Sequence, residues 1–248
     1  MRKKFIAGNW KMHKNKTDAL LYLKDFKLNV KNVTDTEIVL CVPSTLLSVV
    51  NEKVKDSNIN LAAQNIHHEE SGAFTGEICA KMVKDFVNYV VIGHSERRKY
   101  FNETNQILNK KVNLALKQSL KIIFCVGETL EQRDKNETKS IIETQIREGL
   151  AKTTVSDLIN IVIAYEPVWA IGTGQTASPE QAQEIHGFIR QLIADLYNNE
   201  SANNLRIIYG GSVNPKNAAE IISQPDIDGC LPGGASLDPE SFAKIIKA

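Results

Sequence analysis

The sequence lacks a long hydrophobic run, since no stretch approaches the roughly 18 consecutive apolar residues that a transmembrane helix requires. The basic N-terminus carries an apolar run that is too short for a signal peptide. A net charge of +1 provides no overall basic field for nucleic acid or an anionic membrane, so any anion must be held by a local site. We therefore expect a cytoplasmic protein with neither a nucleic-acid nor a membrane partner.

Cysteine is scarce too, and the four residues present are widely separated in sequence. Cys41, Cys125 and Cys230 lie in or beside apolar runs, and Cys79 does not form a Cys-x-x-Cys pair with any of them. This pattern is typical of reduced, buried thiols in a reducing compartment. The sequence also lacks a cluster of residues with metal-ligand spacing. We predict a protein with no metal and no organic cofactor.

What the sequence does contain is an alternation of short apolar runs and amphipathic segments. Strands are predicted at residues 5–10, 37–43, 59–65, 89–94, 121–128, 160–166, 205–212 and 227–234. Helices are predicted at residues 17–30, 102–119, 131–150, 178–198, 214–223 and 238–247. Several strands are apolar throughout, as parallel strands covered on both faces should be.

Eight strand–helix units in an undivided chain of 248 residues predict an α/β fold, a (β/α)8 barrel forming a single domain over residues 1–248. The alternative is an open doubly wound sheet, which normally has fewer strands at this length. In a barrel all the strand ends gather on one face. Polar and glycine residues follow the predicted strands at Asn9, Lys11, 94–96, Glu128, Glu166, 210–212, Gly233 and Gly234. They should therefore meet at one site.

The most informative segment follows the sixth strand, where a carboxylate, Glu166, ends an apolar run. A buried charge is costly unless it is used. After it come the residues of a hinge and a lid: Pro167, Val168, Trp169, Ala170, Ile171, Gly172, Thr173 and Gly174. The motif Ser178-Pro-Glu-Gln181 then predicts a helix start with a capping box. We interpret Glu166 as a general base shielded by an apolar lid, the alternative being a carboxylate that is merely paired with a cation.

The lid also fits a dinucleotide-binding pattern, G-x-G-x-x-A, over residues 172–177. In that fingerprint the glycines open a helix onto the pyrophosphate. Here the helix begins only at Ser178, and Glu166 would repel a phosphate. The pattern therefore argues little for a nucleotide cofactor.

Two further residues are candidates for the chemistry. His94 precedes a short polar turn, Ser95-Glu96, and a helix N-terminus there would favour a neutral imidazole that donates a hydrogen bond. Lys11 follows the first strand. Taken singly, a strand-end histidine is often a satisfied core group and a lysine is usually solvated on the surface, so their expected convergence with Glu166 carries the argument.

Glycine pairs supply a candidate anion site. Gly210-Gly-Ser212 follows the seventh strand and Gly233-Gly234 follows the eighth, the two strands after which barrels often bind phosphate. Either pair alone is equally consistent with a tight turn. The two together predict that backbone N–H groups hold a phosphate.

From Asn9-Trp-Lys11 to Gly233-Gly-Ala-Ser236 the motifs resemble, in order, those of the triosephosphate isomerase family, whose fold is the TIM barrel. The resemblance implies that Asn9 and Lys11 line the pocket, that His94 polarises the substrate carbonyl and that Gly172 and Ser212 help to bind phosphate. It places Ser95, Glu96 and Tyr209 around these groups. It also implies a homodimer in which Thr75, in the loop of residues 72–77, reaches the neighbouring subunit's site.

The function that the resemblance implies is the interconversion of dihydroxyacetone phosphate and D-glyceraldehyde 3-phosphate through an enediolate. A Schiff-base aldolase on the same fold, with Lys11 as nucleophile, and a catalytically inactive barrel acting as a binding protein are the alternatives. The chain departs from the family at His13, where asparagine is common, and at Pro232, where a small aliphatic residue usually precedes the two glycines.

Overall fold

The structure is a computed structural model in which residues 2–171 and 176–248 are described. Parallel strands close into a barrel, each paired with the next along the chain and the last with the first. The strands are β1 (Lys4–Asn9), β2 (Thr36–Val42), β3 (Ile59–Ala63), β4 (Tyr89–Ile92), β5 (Lys121–Val126), β6 (Ile161–Tyr165), β7 (Arg206–Tyr209) and β8 (Gly229–Cys230). The predicted (β/α)8 barrel is confirmed.

Helices connect the strands and cover the outside of the barrel. They are α1 (Lys16–Val30), α2 (Leu47–Val54), α3 (Ala80–Val83), α4 (Ser95–Tyr100), α5 (Asn105–Lys117), α6 (Leu130–Asp134), α7 (Thr138–Gly149), α8 (Pro179–Leu196), α9 (Asn199–Asn204), α10 (Ala218–Ile222) and α11 (Pro239–Ile246). Short 3-10 helices lie at Ser44–Leu46, Val155–Asn160, Val168–Ala170 and Gly234–Leu237. None of the helices in the described ranges has the length and apolar character needed to cross a membrane.

The core has two layers because successive strand residues face opposite sides of the sheet. Phe5 and Ala7 of β1 belong to the small cluster inside the barrel, whereas Ile6 between them belongs to the large cluster under the helices. Both layers are apolar, which explains why the strands lack the alternation of a half-exposed sheet. Three of the cysteines are buried and all four are free thiols, as predicted.

The eighth strand is much shorter than predicted. Only Gly229 and Cys230 pair as a strand. The chain nevertheless continues alongside its neighbours, since the Leu231 N–H donates to the Tyr209 carbonyl at 2.8 Å and the Asn9 N–H donates to the Pro232 carbonyl at 2.9 Å. Gly229 has φ +146°, and a Cβ at this position would lie 1.9 Å from the Phe5 carbonyl oxygen. The barrel therefore closes between β8 and β1 at a position, 229, that only glycine can occupy.

The helix predictions succeed where capping signals are strong. Ser178 and Gln181 form the predicted capping box at the start of α8, with Pro179 in the first turn. The helix predicted over residues 131–150 is instead two helices, α6 and α7, separated by Asn136 with φ 60°. The short helices α2, α3 and α9 were not predicted; α2 and α3 have no side-chain cap to mark their start.

Candidate active site

The carboxyl ends of the strands surround a cavity of about 370 Å³. Its lining combines the predicted acid, histidine and lysine with both glycine pairs: Asn9, Lys11, His94, Glu166, Ile171, Gly210, Gly211, Ser212, Val213, Asn214, Leu231, Gly233, Gly234 and Ala235. A larger hollow, about 790 Å³, opens near the opposite end of the barrel, where Arg2 and Arg206 are already paired with Asp228 and Glu37. Chemistry, and not size, singles out the smaller cavity.

Glu166 and His94 meet at the centre of this end of the barrel. Glu166 follows β6 and is 2% exposed, and its Oε1 lies 3.2 Å from Nε2 of His94. Its other oxygen, Oε2, accepts a hydrogen bond from the Ser95 N–H at 2.8 Å. The carboxylate therefore has polar partners on both oxygens although it is cut off from bulk water.

The surroundings of His94 fix which of its nitrogens carries the proton. His94 directly precedes α4, and its Nδ1 accepts the Glu96 N–H at 3.2 Å. A nitrogen that accepts a hydrogen bond carries no proton, so a neutral imidazole here has its hydrogen on Nε2, the atom that faces Glu166. Nε2 of His94 therefore faces both Glu166 and the cavity.

Lys11 is held in place by its backbone as well as by its side chain. It has φ 50°, unusual for a lysine; its N–H donates to Asn9 Oδ1 at 3.0 Å and its carbonyl accepts from Gln64 Nε2 at 2.9 Å. Its ammonium group forms a 2.5 Å ion pair with Glu96 at the cavity edge. The sequence did not reveal the parts played by Gln64 and by this backbone geometry.

Space requires glycine at positions 210 and 211, whereas at Gly234 an added Cβ would meet nothing within 4 Å. A Cβ on Gly210 would lie 2.8 Å from Cγ of Glu166, and one on Gly211 would lie 2.2 Å from the Tyr209 hydroxyl. A Cβ on Gly233 would lie 3.3 Å from Cε of Lys11. Burial raises the pKa of Tyr209 to about 12, so this side chain is neutral near pH 7. The first glycine pair therefore lets the loop after β7 approach the acid closely, and Gly233 lies beside the end of the Lys11 side chain.

The segment after Glu166 contacts a second buried carboxylate, Glu128, which was expected among the strand-end residues but was assigned no role. Glu128 follows β5 and is fully buried; its Oε1 accepts from Trp169 Nε1 at 2.9 Å and from the Tyr165 hydroxyl at 3.2 Å. Its carbonyl accepts the Val168 N–H at 3.1 Å, and the guanidinium of Arg133 lies 4.6 Å from the Trp169 ring. The sequence signal that could have revealed this contact was a charged residue shortly after a buried strand.

Pro167 and the short helix Val168–Ala170 follow Glu166, and Ile171 reaches the cavity wall. The predicted lid residues Gly172, Thr173 and Gly174 lie outside the described residues. Thr75 is not among the residues that line this cavity; it lies in the exposed stretch of residues 69–77. Within the described ranges, His, Cys, Asp and Glu form no group of three that could hold a metal ion.

These features define the class of protein: a (β/α)8 barrel enzyme with a buried acid and a histidine beside a glycine-rich cradle at the carboxyl ends of the strands. Comparison with known proteins narrows the class. The family model described as triosephosphate isomerase matches residues 4–248.

The triosephosphate isomerase of Endomicrobium trichonymphae is 53% identical over 248 residues, covering 100% of this chain and 99% of the relative. That of Carboxydothermus hydrogenoformans is 50% identical over 248 residues, with the same shares of both chains. That of Chloroherpeton thalassium is 53% identical over 250 residues, again with 100% and 99% covered. The chain belongs to the triosephosphate isomerase family and is thus an isomerase.

Proposed function

We propose that this chain interconverts dihydroxyacetone phosphate and D-glyceraldehyde 3-phosphate, with Glu166 as the base that moves a proton between the two carbons. The observation that carries the proposal is the meeting of the buried Glu166 carboxylate and His94 Nε2, 3.2 Å apart, at a cavity that also holds Lys11. Glu166 removes a proton from the carbon next to the carbonyl and returns it to the neighbouring carbon. An enediolate forms between the two transfers.

His94 and Lys11 stabilise the negative charge that develops on the substrate oxygen. The Nε2–H of His94 points into the site because Nδ1 is occupied by the Glu96 N–H. The Lys11 ammonium adds a full positive charge at the cavity edge, and Asn9 fixes the lysine backbone. Such preorganised groups cost no reorganisation when the charge appears, which makes them effective in a site that excludes water.

Catalysis requires Glu166 to exchange partners. In this structure its oxygens face the Ser95 N–H and His94 Nε2. A substrate whose carbonyl takes the His94 hydrogen bond releases one of these oxygens toward the substrate carbon. The hinge residues Pro167 to Ile171 connect the base directly to the lid, so closure and repositioning of the base occur in one segment.

The phosphate is held by the loops after β7 and β8. Ser212, Gly233 and Gly234 line the cavity, and backbone N–H groups without side chains can approach a dianion closely. Gly172 adds a donor from the lid. These contacts need no metal ion.

The active unit is a homodimer in the cytoplasm, and residues 1–248 of each copy form one functional domain. A hollow of about 630 Å³ adjoins the catalytic cavity and shares Asn9, Lys11 and His94 with it. Met12 (95% exposed) and Phe101 (62% exposed) flank this hollow, which leaves an apolar rim that a partner would cover. The loop of residues 72–77 of a second copy, including Thr75, fills it.

The decisive experiment is a coupled assay of isomerase turnover on purified protein with either triose phosphate. Borohydride trapping distinguishes the aldolase alternative, because only a Schiff-base enzyme gives a stable adduct at Lys11. In this structure the Lys11 amino group is engaged in a 2.5 Å contact with Glu96 and is not free to attack a carbonyl. Absence of turnover with a folded dimer would instead favour the inactive binding protein.

A further inference from the structure

The loop after β1 has a residue with an unusual backbone conformation at each end and exposed residues between them. Lys11 and Lys14 both have positive φ, 50° and 71°, which is uncommon for residues with a side chain. Between them Met12 and His13 are exposed. Lys11 belongs to the catalytic cavity, whereas Lys14 does not line it. The proposed chemistry leaves Lys14 without a role.

The side chain of Lys14 is committed to a specific set of partners. Its Nζ donates to the carbonyl oxygen of Leu237 at 2.9 Å and lies 4.7 Å from the ring centre of Tyr22 and 5.3 Å from that of Trp10. Burial lowers the pKa of Lys14, against the opposing effect of Asp18 and Asp238. A lysine on the surface would keep its ammonium group in water. This one is directed at a carbonyl and two aromatic faces.

Leu237 ends the 3-10 helix Gly234–Leu237, which begins at the glycines of the anion site. The start of this turn is closed by Ser236, whose N–H and hydroxyl both donate to Gly233 O, at 2.9 and 2.7 Å. Its underside presses on β1, since a Cβ on Gly8 would lie 2.8 Å from Cβ of Ser236. The turn is therefore fixed at its first residues and beneath, and Lys14 fixes its last carbonyl.

We propose that Lys14 is a positioning residue for the phosphate site: it ties the loop that carries Lys11 to the far end of the turn whose first residues, Gly233 and Gly234, bind the phosphate. This rests on the phosphate role proposed above for the two glycines. The contact acts on the affinity for the dianion and leaves the proton-transfer groups untouched. Without the tie, the turn loses one of its three fixed points and its N–H groups are less well ordered before the anion arrives.

The test compares Lys14→Met with wild type. Methionine keeps an unbranched stem of similar length and the same backbone demand at φ 71°, and it removes the ammonium group while replacing the δ-methylene with sulfur. Lys16→Met is the matched control, since Lys16 is exposed two residues away and its loss changes the net charge equally. Lys14→Arg restores a cation with donors, and Lys14→Gln is a second removal variant should the methionine variant not fold. Inorganic phosphate is the probe, titrated by calorimetry, and KM and kcat are measured with both triose phosphates.

We expect Lys14→Met and Lys14→Gln to weaken phosphate binding and raise KM by about threefold to tenfold, with kcat within twofold of wild type. Lys16→Met should match wild type and Lys14→Arg should recover most of the affinity. Equal phosphate affinity in Lys14→Met and wild type overturns the proposal, as does an equal loss in Lys16→Met, which would indicate a general effect of charge. A wild-type protein that binds no phosphate also overturns it. A wild-type protein that binds phosphate but does not isomerise refutes the proposed function alone, because the calorimetric comparison still decides the role of Lys14.

Discussion

A single added methyl group at Gly210 would displace the proposed base directly. Gly210 follows β7, and a Cβ there would lie 2.8 Å from Cγ of Glu166 and 3.2 Å from the carbonyl oxygen of Tyr165. Ordinary contacts of such a carbon begin at 3.4 Å, so Glu166 has to retreat by 0.6 Å or more. The backbone of residue 210 cannot retreat instead, because its N–H donates to the Tyr165 carbonyl at 2.7 Å.

The expected consequence of Gly210→Ala is a large loss of turnover in a folded protein. Misplacement of a catalytic group by around 1 Å can cost about a hundredfold in rate, and we expect a fall in kcat of about that size. Overpacking of this kind typically costs about 1–3 kcal/mol of stability. KM should change little, because the methyl group would contact Glu166 and Tyr165 and not Gly233 or Gly234, the glycines proposed to bind the phosphate.

The assay measures kcat and KM for both triose phosphates together with urea unfolding. Gly187→Ala is the control, since Gly187 lies within α8 and its added Cβ would meet nothing closer than 3.5 Å. Alanine there should leave activity unchanged and favour the helix by up to about 1 kcal/mol. A folded Gly210→Ala variant with kcat within threefold of wild type would refute the placement of Glu166 as the base.

The remaining predictions concern the proposed chemistry, the assembly and the phosphate loop. Glu166→Asp retracts the carboxylate by one carbon–carbon bond, and the coupled assay should report a fall in kcat of roughly a hundredfold with a modest change in KM; an unchanged kcat would show that Glu166 is not the base. His94→Gln replaces the donor with a misplaced amide and should lower turnover by about 10²–10³ while circular dichroism stays native; if solvent exchange and isomerisation are both unaffected, the histidine is structural. Thr75→Arg places a charge where a partner should pack, so sedimentation should detect a monomer with little activity, and an active dimer would contradict the interface. Pro232→Val restores a backbone N–H at position 232, whereas the phosphate is proposed to be held by the N–H groups of Gly233 and Gly234, so inhibitor titration should detect no gain; a tenfold gain, about 1.4 kcal/mol, would mean that proline perturbs the anion site.

The sequence was sufficient to predict that the main residues of the candidate site lie close together. Asn9, His94 and Glu166 each follow an apolar run, and parallel strands in a closed barrel place all such positions at one end. This reasoning needs only strand boundaries accurate to a few residues, which β1, β4 and β6 satisfy. The catalytic roles of these residues remain predictions that the assays above decide.

Details that depend on side-chain direction and close packing could not be predicted. Glu128 was recognised as a strand-end carboxylate, but its contact with Trp169 depends on the path of the hinge. The glycines at 210 and 211 were interpreted through their N–H groups, whereas the structure adds a steric reason, the closeness of Glu166 and Tyr209. Lys14 has no sequence signal at all, because its partner, Leu237, lies 223 residues away along the chain.

The seam between the first and last strands has a consequence for how the chain folds as it is made. β1 leaves the ribosome first and pairs on one side with β2, but its other edge has to wait for Gly229 and Cys230. Until then that edge exposes unpaired backbone groups, which can recruit other chains. The same delay applies to α1, whose Phe26 ring stacks on Phe242 of α11. A chain stalled or truncated before residue 229 therefore leaves one edge of β1 unpaired. The final twenty residues cover that edge and the α1 helix that follows it.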